Sequence, residues 1–208
     1  GPPAHTGNIS LLAGTAVAGL SDSAAIVNGG AVNFGSNTLR ANDLVLTGGT
    51  SLVNAAASHV SDASILSAGQ INIWLAGNAT LTGGTATTNG AAATAYSTAL
   101  ANIKGNVAFD ALGNLTMVAG TATADSGLSL LTTDYGADAS ASIISSGAFA
   151  PKIGGNLTMS GKSATATASA LNPVVRAKSQ ALIQGASLNI NVIGDLDQDN
   201  SNALAVAN

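Results

Sequence analysis

The sequence predicts an all-β fold, a parallel β-helix or solenoid of about five repeats of 35–42 residues, and three observations carry that reading. A short phrase recurs along the whole chain. Apolar and polar residues alternate with a period of two after each copy. The composition is poor in helix-forming charged residues and rich in Gly, Ala, Asn, Ser and Thr.

The phrase is clearest at Gly113-Asn114-Leu115-Thr116-Met117-Val118-Ala119-Gly120-Thr121. Copies begin at Gly7-Asn8, Asn42-Asp43, Gly77-Asn78, Gly155-Asn156 and Gly194-Asp195. From each Asn or Asp to the next (Asn8, Asp43, Asn78, Asn114, Asn156, Asp195) the spacing is 35, 35, 36, 42 and 39 residues. A fixed period in this range marks modules that stack on one another, so the 208 residues are read as one array rather than as globular domains. Residues 1–6 read as a lead-in whose Gly1-Pro2 resembles a protease-cleavage scar, and 7–208 as a single solenoid segment. The sixth copy starts just before the chain stops, so both ends read as cuts in a longer protein.

Each repeat opens on a strand. Its inward column runs Ile9/Leu11, Leu44/Leu46, Ala79/Leu81, Leu115/Met117 and Leu157/Met159, with Ser10, Val45, Thr80, Thr116 and Thr158 facing out between them. A corner of small residues follows, including Gly48-Gly49, Gly83-Gly84 and Ala119-Gly120, where glycine is expected to supply a positive φ. The next run alternates Thr with Ala, as in Thr85-Ala86-Thr87 and Thr121-Ala122-Thr123. Ala is expected inward, because a buried Thr hydroxyl needs a partner, and that brings opposing walls close together.

Length varies after this run. From the corner Thr or Ser to the next apolar strand the distance ranges from 11 residues (Thr15 to Ile26) to 22 (Thr121 to Ile143). Insertions collect at exposed loops, so loops are expected at 124–141 and 168–180, with Asp134, Tyr135 and Asp138 as a candidate contact patch. The return strand reads Ala25-Ile26-Val27, Ser64-Ile65-Leu66, Ala99-Leu100-Ala101, Ser142-Ile143-Ile144 and Ala181-Leu182-Ile183. A last strand carries Val32/Phe34, Ile71/Ile73, Val107/Phe109 and Leu188/Ile190; Pro151 predicts a break there in the fourth repeat, since proline donates no ladder hydrogen bond. That makes about four strands per repeat. One coil per repeat and two coils of half a repeat both fit the rhythm. The right hand is expected by analogy with parallel β crossovers.

Composition bounds function. Charged residues are 8% of the chain, against about 25% in average proteins, and aromatic residues 3%. Four Lys and two Arg with so few aromatics argue against nucleic-acid binding. The absence of Cys excludes disulfides and thiolate metal sites, and no apolar run reaches the ~18 residues of a membrane-inserted helix. The 46% hydrophobic content argues against disorder.

The chemistry candidates are few. His5 lies in the lead-in and His59 in a variable loop, too far apart for a metal cluster. The ten acidic residues, all Asp, are scattered, and no nucleophile elbow is present, so the chain is read as not an enzyme. Asp195, Asp197 and Asp199 place oxygen ligands at alternate positions like the start of a calcium loop. The sixth position is Asn200 rather than Gly and the twelfth Val206 rather than Glu; a strand end with an acidic outer face explains the same residues. No other cofactor is expected. Four N-x-[ST] sequons start at Asn8, Asn78, Asn114 and Asn156, where a turn Asn and an outward Thr or Ser, or a stacked Asn ladder, are the structural alternative to a sugar. The column Thr15, Thr50, Thr85, Thr121, Ser163 invites an ice-binding reading, although its neighbouring column starts Val17, Leu52.

The phrase Gly-Asn-Leu-Thr-Met-x-Ala-Gly-Thr at 113–121 and Ala-Gly-Gln-Ile-Asn-Ile at 68–73 resemble repeats of filamentous haemagglutinin-like exoproteins of two-partner secretion. The resemblance runs over 7–208 as repeat texture; the units are longer than that family's short repeats, and no secretion domain is present in the sequence. It implies a secreted bacterial cell-surface protein exported by an outer-membrane partner. It also implies adhesion to a host or neighbouring-cell surface, or to like molecules. A structural stalk with an adhesive role is the function expected, ahead of the ice-binding alternative and of a polysaccharide-acting β-helix enzyme.

Overall fold

The computed structural model describes residues 4–17, 22–54, 58–89, 94–127, 134–168, 174–199 and 203–207. Among them there is no helix, and every strand pair is parallel, stacked into a β-solenoid of about five coils. The first wall is a six-stranded sheet of Ile9–Leu12, Leu44–Thr47, Ala79–Thr82, Leu115–Val118, Leu157–Ser160 and Leu196–Asp199. Its register runs Ile9, Leu44, Ala79, Leu115, Leu157, Leu196 from coil to coil. Each repeat is therefore one coil, and two half-repeat coils are excluded. At about 4.8 Å per strand, five coils span roughly 24 Å.

The second wall holds Thr15–Val17, Thr50–Val53, Thr85–Asn89, Thr121–Asp125, Ala164–Ala168 and Ala203–Ala207. A third wall of Ser58–Val60, Thr94–Thr98, Asp134–Asp138 and Val174–Lys178 occupies part of the stretch expected to be variable loop. Short alternating runs such as Thr94–Thr98 carry little apolar signal, because their inward residues are small, as Ala95 and Ser97 are. The connections at 18–21, 55–57, 90–93, 128–133 and 169–173 lie outside the described residues.

The fourth wall contains Ala25–Gly29, Ala63–Leu75, Ala101–Ala111, Ala141–Ser145 and Ala181–Gln184. Its inward column is Val27, Ile65, Ile103, Ile143 and Ile183. The third-repeat reading of Ala99-Leu100-Ala101 as return strand is corrected to Ala101-Asn102-Ile103. Asn102 faces outward, where it donates to Ser64 Oγ. At Pro151 the ladder breaks as the sequence predicts. The continuous strand Ala101–Ala111 is followed, one coil on, by the separate pieces Ala141–Ser145, Ala148–Phe149 and Lys152–Ile153. Among the described residues Ala148–Phe149 pairs only with Ser187–Leu188.

Each coil is pinched. Within one coil Gly49 N donates to Ser61 O at 2.8 Å, and in the next Gly84 N donates to Ala99 O at 2.7 Å. Gly120 N donates to Ala139 O at 2.5 Å one coil later. This waist divides the interior in two. The larger lobe, between the first and fourth walls, holds the fully buried Leu44, Leu46, Leu81, Leu115, Met117 and Leu157, with Met159 partly buried against them. The smaller lobe, between the second and third walls, is lined by Ala86, Ala122, Ala124, Ala137 and Ala164. Ala faces inward here and the walls lie close, as the alternation implied. Where Ser51 and Thr88 replace Ala, their hydroxyls donate to His59 O and Gly136 O, so these two polar side chains are satisfied in the lobe.

Candidate functional site

The repeat phrase owes its form to a side-chain ladder along one corner. Asp43 Oδ1 accepts the Asn78 N–H at 2.7 Å, Asn78 Oδ1 accepts Asn114 N–H at 2.9 Å, and Asn114 Oδ1 accepts Asn156 N–H at 2.8 Å. Asn156 Oδ1 accepts the Asp195 N–H at 3.0 Å. The glycine before each receiving Asx leaves room for that oxygen. A Cβ on Gly77, Gly113, Gly155 or Gly194 would fall on the Asx oxygen of the coil before. The sequon asparagines thus have a structural use. Asn114→Ala is expected to cost about 0.5–1.5 kcal/mol, the net worth of one hydrogen bond. Asn114→Asp is expected to cost less, because Asp43 already fills the acceptor role in this column. Urea midpoints of the two variants check the difference.

The outer face of the second wall carries exposed Thr15, Thr50, Thr85 and Thr121, in register from coil to coil. The neighbouring outward column is Val17, Leu52, Thr87, Thr123 and Thr165.

The proposed contact patch is corrected in part. Asp134, Tyr135 and Asp138 lie in the strand Asp134–Asp138, not in a loop, and the Tyr135 side chain is fully buried beside Val53 and Ala95. Strand alternation turns Asp134 and Asp138 outward, where they pair with Arg176 at 3.2 Å and Lys178 at 3.3 Å on the next coil. The outward aromatic of this wall is Tyr96. Its ring lies over Gly136, where a Cβ would sit 2.6 Å from Tyr96 Cδ1. The Asp134 carboxylate, by accepting from its hydroxyl, pushes the Tyr96 pKa up.

His59 is likewise in a strand, Ser58–Val60, and buried; its Nδ1 lies 3.9 Å from Asp22 Oδ1. Among the described residues no three His, Cys, Asp or Glu side chains gather as metal ligands. Asp197 and Asp199 occupy alternate exposed positions of Leu196–Asp199, and the Asp195 N–H is used in the corner ladder. An extended strand holds such positions about 7 Å apart instead of wrapping them round a cation. The rest of the candidate calcium stretch, 200–202, lies outside the described residues.

Asp62 sits at the corner between the third and fourth walls, where its Oδ1 accepts the Leu100 N–H at 2.9 Å. Burial pushes its pKa above 3.8, with Asp138 and Asp22 adding to the rise against the hydrogen bond from Leu100. A carboxyl raised in the folded state binds protons better there than in the unfolded chain. Its favourable contribution is present below pH 3.8 and lost as pH rises through the folded pKa. Asp62→Asn keeps an acceptor for Leu100 and removes the buried charge. It is expected to raise the melting temperature at pH 7 and to leave it unchanged near pH 3, measured by thermal melts at both.

An outward column of the fourth wall mixes aromatic, acidic and basic side chains. From coil to coil it reads Trp74, Asp110, Lys152 and Asn191, in register. Arg40 joins it beside Trp74, next to the Ala41–Leu75 bridge. Gly35, with a φ of 81°, lets the chain leave the wall and return through Leu39–Arg40. The Arg40 guanidinium lies over the Trp74 ring, 5.4 Å from its centroid, and donates to Asp110 Oδ1 at 2.7 Å and Leu75 O at 3.0 Å. Arg40 is only 7% exposed. No local stretch of sequence marks this cluster, because its members are 34 to 42 residues apart and each sits in an ordinary run.

No protein-family model, no curated protein and no solved structure matches the chain.

Proposed function

We propose that the chain is a structural and adhesive stalk segment of a large secreted bacterial surface protein. One observation carries the reading: the in-register stacking of one wall from Ile9 to Asp199, with an Asx corner on each coil and mostly Thr or Ser at the outward positions. Such an array makes a stiff rod whose length scales with coil number and whose side chains meet a partner as a repeated surface. The likeness of its repeat phrase to filamentous haemagglutinin-like exoproteins supports export by an outer-membrane partner and attachment to a host or neighbouring-cell surface, or to like molecules. Catalysis is not part of this reading.

Beads coated with the purified chain provide the test. Saturable attachment to cells or to one another, competed by soluble chain, is expected. Attachment no better than that of beads bearing an unrelated β-solenoid would remove the adhesive role.

The exposed Thr50, Thr85 and Thr121 column favours a second reading, binding to ice, although Val17 and Leu52 interrupt its neighbour. Thermal hysteresis that disappears on replacing Thr85, Thr87, Thr121 and Thr123 would place that reading first.

A further inference from the structure

We propose that the depression beside Trp74 binds an acidic saccharide, a pyranose carrying a carboxylate. The inference deepens the adhesive reading by naming a ligand class, and its test is separate from bead attachment.

The argument starts from what a stacked ladder does to its outer face. Outward positions of the first wall are mostly Thr and Ser; here the fourth wall sets Trp, Asp and Lys side by side in successive coils. Four of the six aromatic side chains, Phe34, Phe109, Phe149 and Tyr135, are buried or packed against the core. Trp74, the single tryptophan, faces outward and half-exposed. Arg40 lies over this indole, and its remaining exposed surface offers an apolar platform to a ligand.

The broken ladder supplies the space. Ala148–Phe149 does not pair with Ala101–Ala111, and the Val107 N–H is taken instead by Ser145 Oγ at 3.1 Å. A depression of about 240 Å³ opens there, lined by Trp74, Ala108, Ala148 and Ala150, with Asp110 and Lys152 at its end. A second, of about 190 Å³, continues past Asp110 and Lys152 toward Asn191. Together they fall in the lower part of the range of small-ligand sites.

The polar groups specify the occupant. Arg40, more than nine-tenths buried, holds the Asp110 carboxylate and covers part of the Trp74 ring, so it acts as a positioning residue. Lys152 neighbours Asp110 in register, yet Asp110 is committed to Arg40, and among the described residues the exposed Lys152 ammonium has no ion-pair partner. The group carries one net positive charge, complementary to one anion. A pyranose can lay its C–H face on the indole, donate a hydroxyl to Asp110 and present its carboxylate to Lys152. A neutral sugar would leave Lys152 without a partner.

Because Trp74 is the only tryptophan, its fluorescence reports on this site alone. The full chain would be titrated with trisaccharides of galacturonate, glucuronate and mannuronate and with their neutral counterparts. Expected is a saturable change with at least one acidic trisaccharide, weakened about tenfold or more by Lys152→Ala and by raised salt. Lys152 is exposed, so this variant keeps the fold, which circular dichroism would verify. No saturable change with any of the three, equal binding of the neutral sugars, or full binding by Lys152→Ala overturns the proposal. If Lys152→Ala beads attach to cells as well as unaltered beads do, adhesion stands and this site falls. If beads do not attach but the acidic sugar binds, the site stands without the adhesive role.

Discussion

Leu115→Asp is expected to abolish the cooperative melting transition of the segment, while Thr116→Asp leaves it nearly in place. Leu115 is fully buried between Ala79 and Leu157 in the first wall, inside the larger lobe. Its burial contributes about 1.5–3 kcal/mol, all of which is lost. An unpaired carboxylate in that position adds several kcal/mol of desolvation, or takes up a proton and remains an unsatisfied polar group. Losses above about 4 kcal/mol are rare for one substitution and comparable with the whole stability of many domains. Thr116 is turned outward between Thr80 and Thr158, where a charge stays hydrated, so a change of about 0.5 kcal/mol is expected. Thermal melts of both variants decide the matter; equal losses would mean the strand register is wrong.

Gly84→Ala is expected to destabilise by about 1–3 kcal/mol or more, the range for overpacking. Gly→Ala at an ordinary backbone angle usually stabilises by about 0.4–1 kcal/mol through the unfolded chain, so the sign is the test. Gly84 has no positive φ; the described residues that do are Gly35 and Gly127. A Cβ on Gly84 would land on the Gly49 carbonyl oxygen of the coil before and 2.5 Å from Gly48 O. That Gly49 oxygen accepts the Thr85 N–H at 2.9 Å, so it cannot move without opening the ladder. Gly120 repeats the arrangement against Gly84 O. Gly30→Ala is the control: a Cβ there meets nothing within 4 Å, and no loss is expected. Guanidinium midpoints of Gly84→Ala and Gly30→Ala should move in opposite directions. A Gly84→Ala midpoint at or above that of the unsubstituted chain would refute the close-stacking account.

These glycines also correct a reason, although the corner itself was legible. The sequence suggests that the corner glycines bend the chain through positive φ, which Gly84 does not have. What the fold requires is the absence of a Cβ where one coil's backbone lies against the next. Sequence periodicity locates a corner; it does not contain the distance between neighbouring coils.

What the sequence determined by itself follows from features that act locally and repeat. Two-residue alternation assigns Leu115 and Met117 to one face and Thr116 to the other. The 35–42-residue recurrence of Gly-Asx assigns one module per repeat, and Pro151 marks a ladder break because it has no N–H. Tertiary structure decided the rest. It showed that Asp134–Asp138 is a strand with Tyr135 inside, since only the facing wall tells an inward residue from a loop residue when the run is short and polar. It chose one coil over two, and it divided the interior at the Gly49–Ser61 and Gly84–Ala99 contacts. It also assembled Arg40, Trp74, Asp110 and Lys152, residues of four successive coils, into one group. In a solenoid, neighbours on the surface are a full coil apart along the chain, so stacking creates a heterogeneous site that no local stretch of sequence displays.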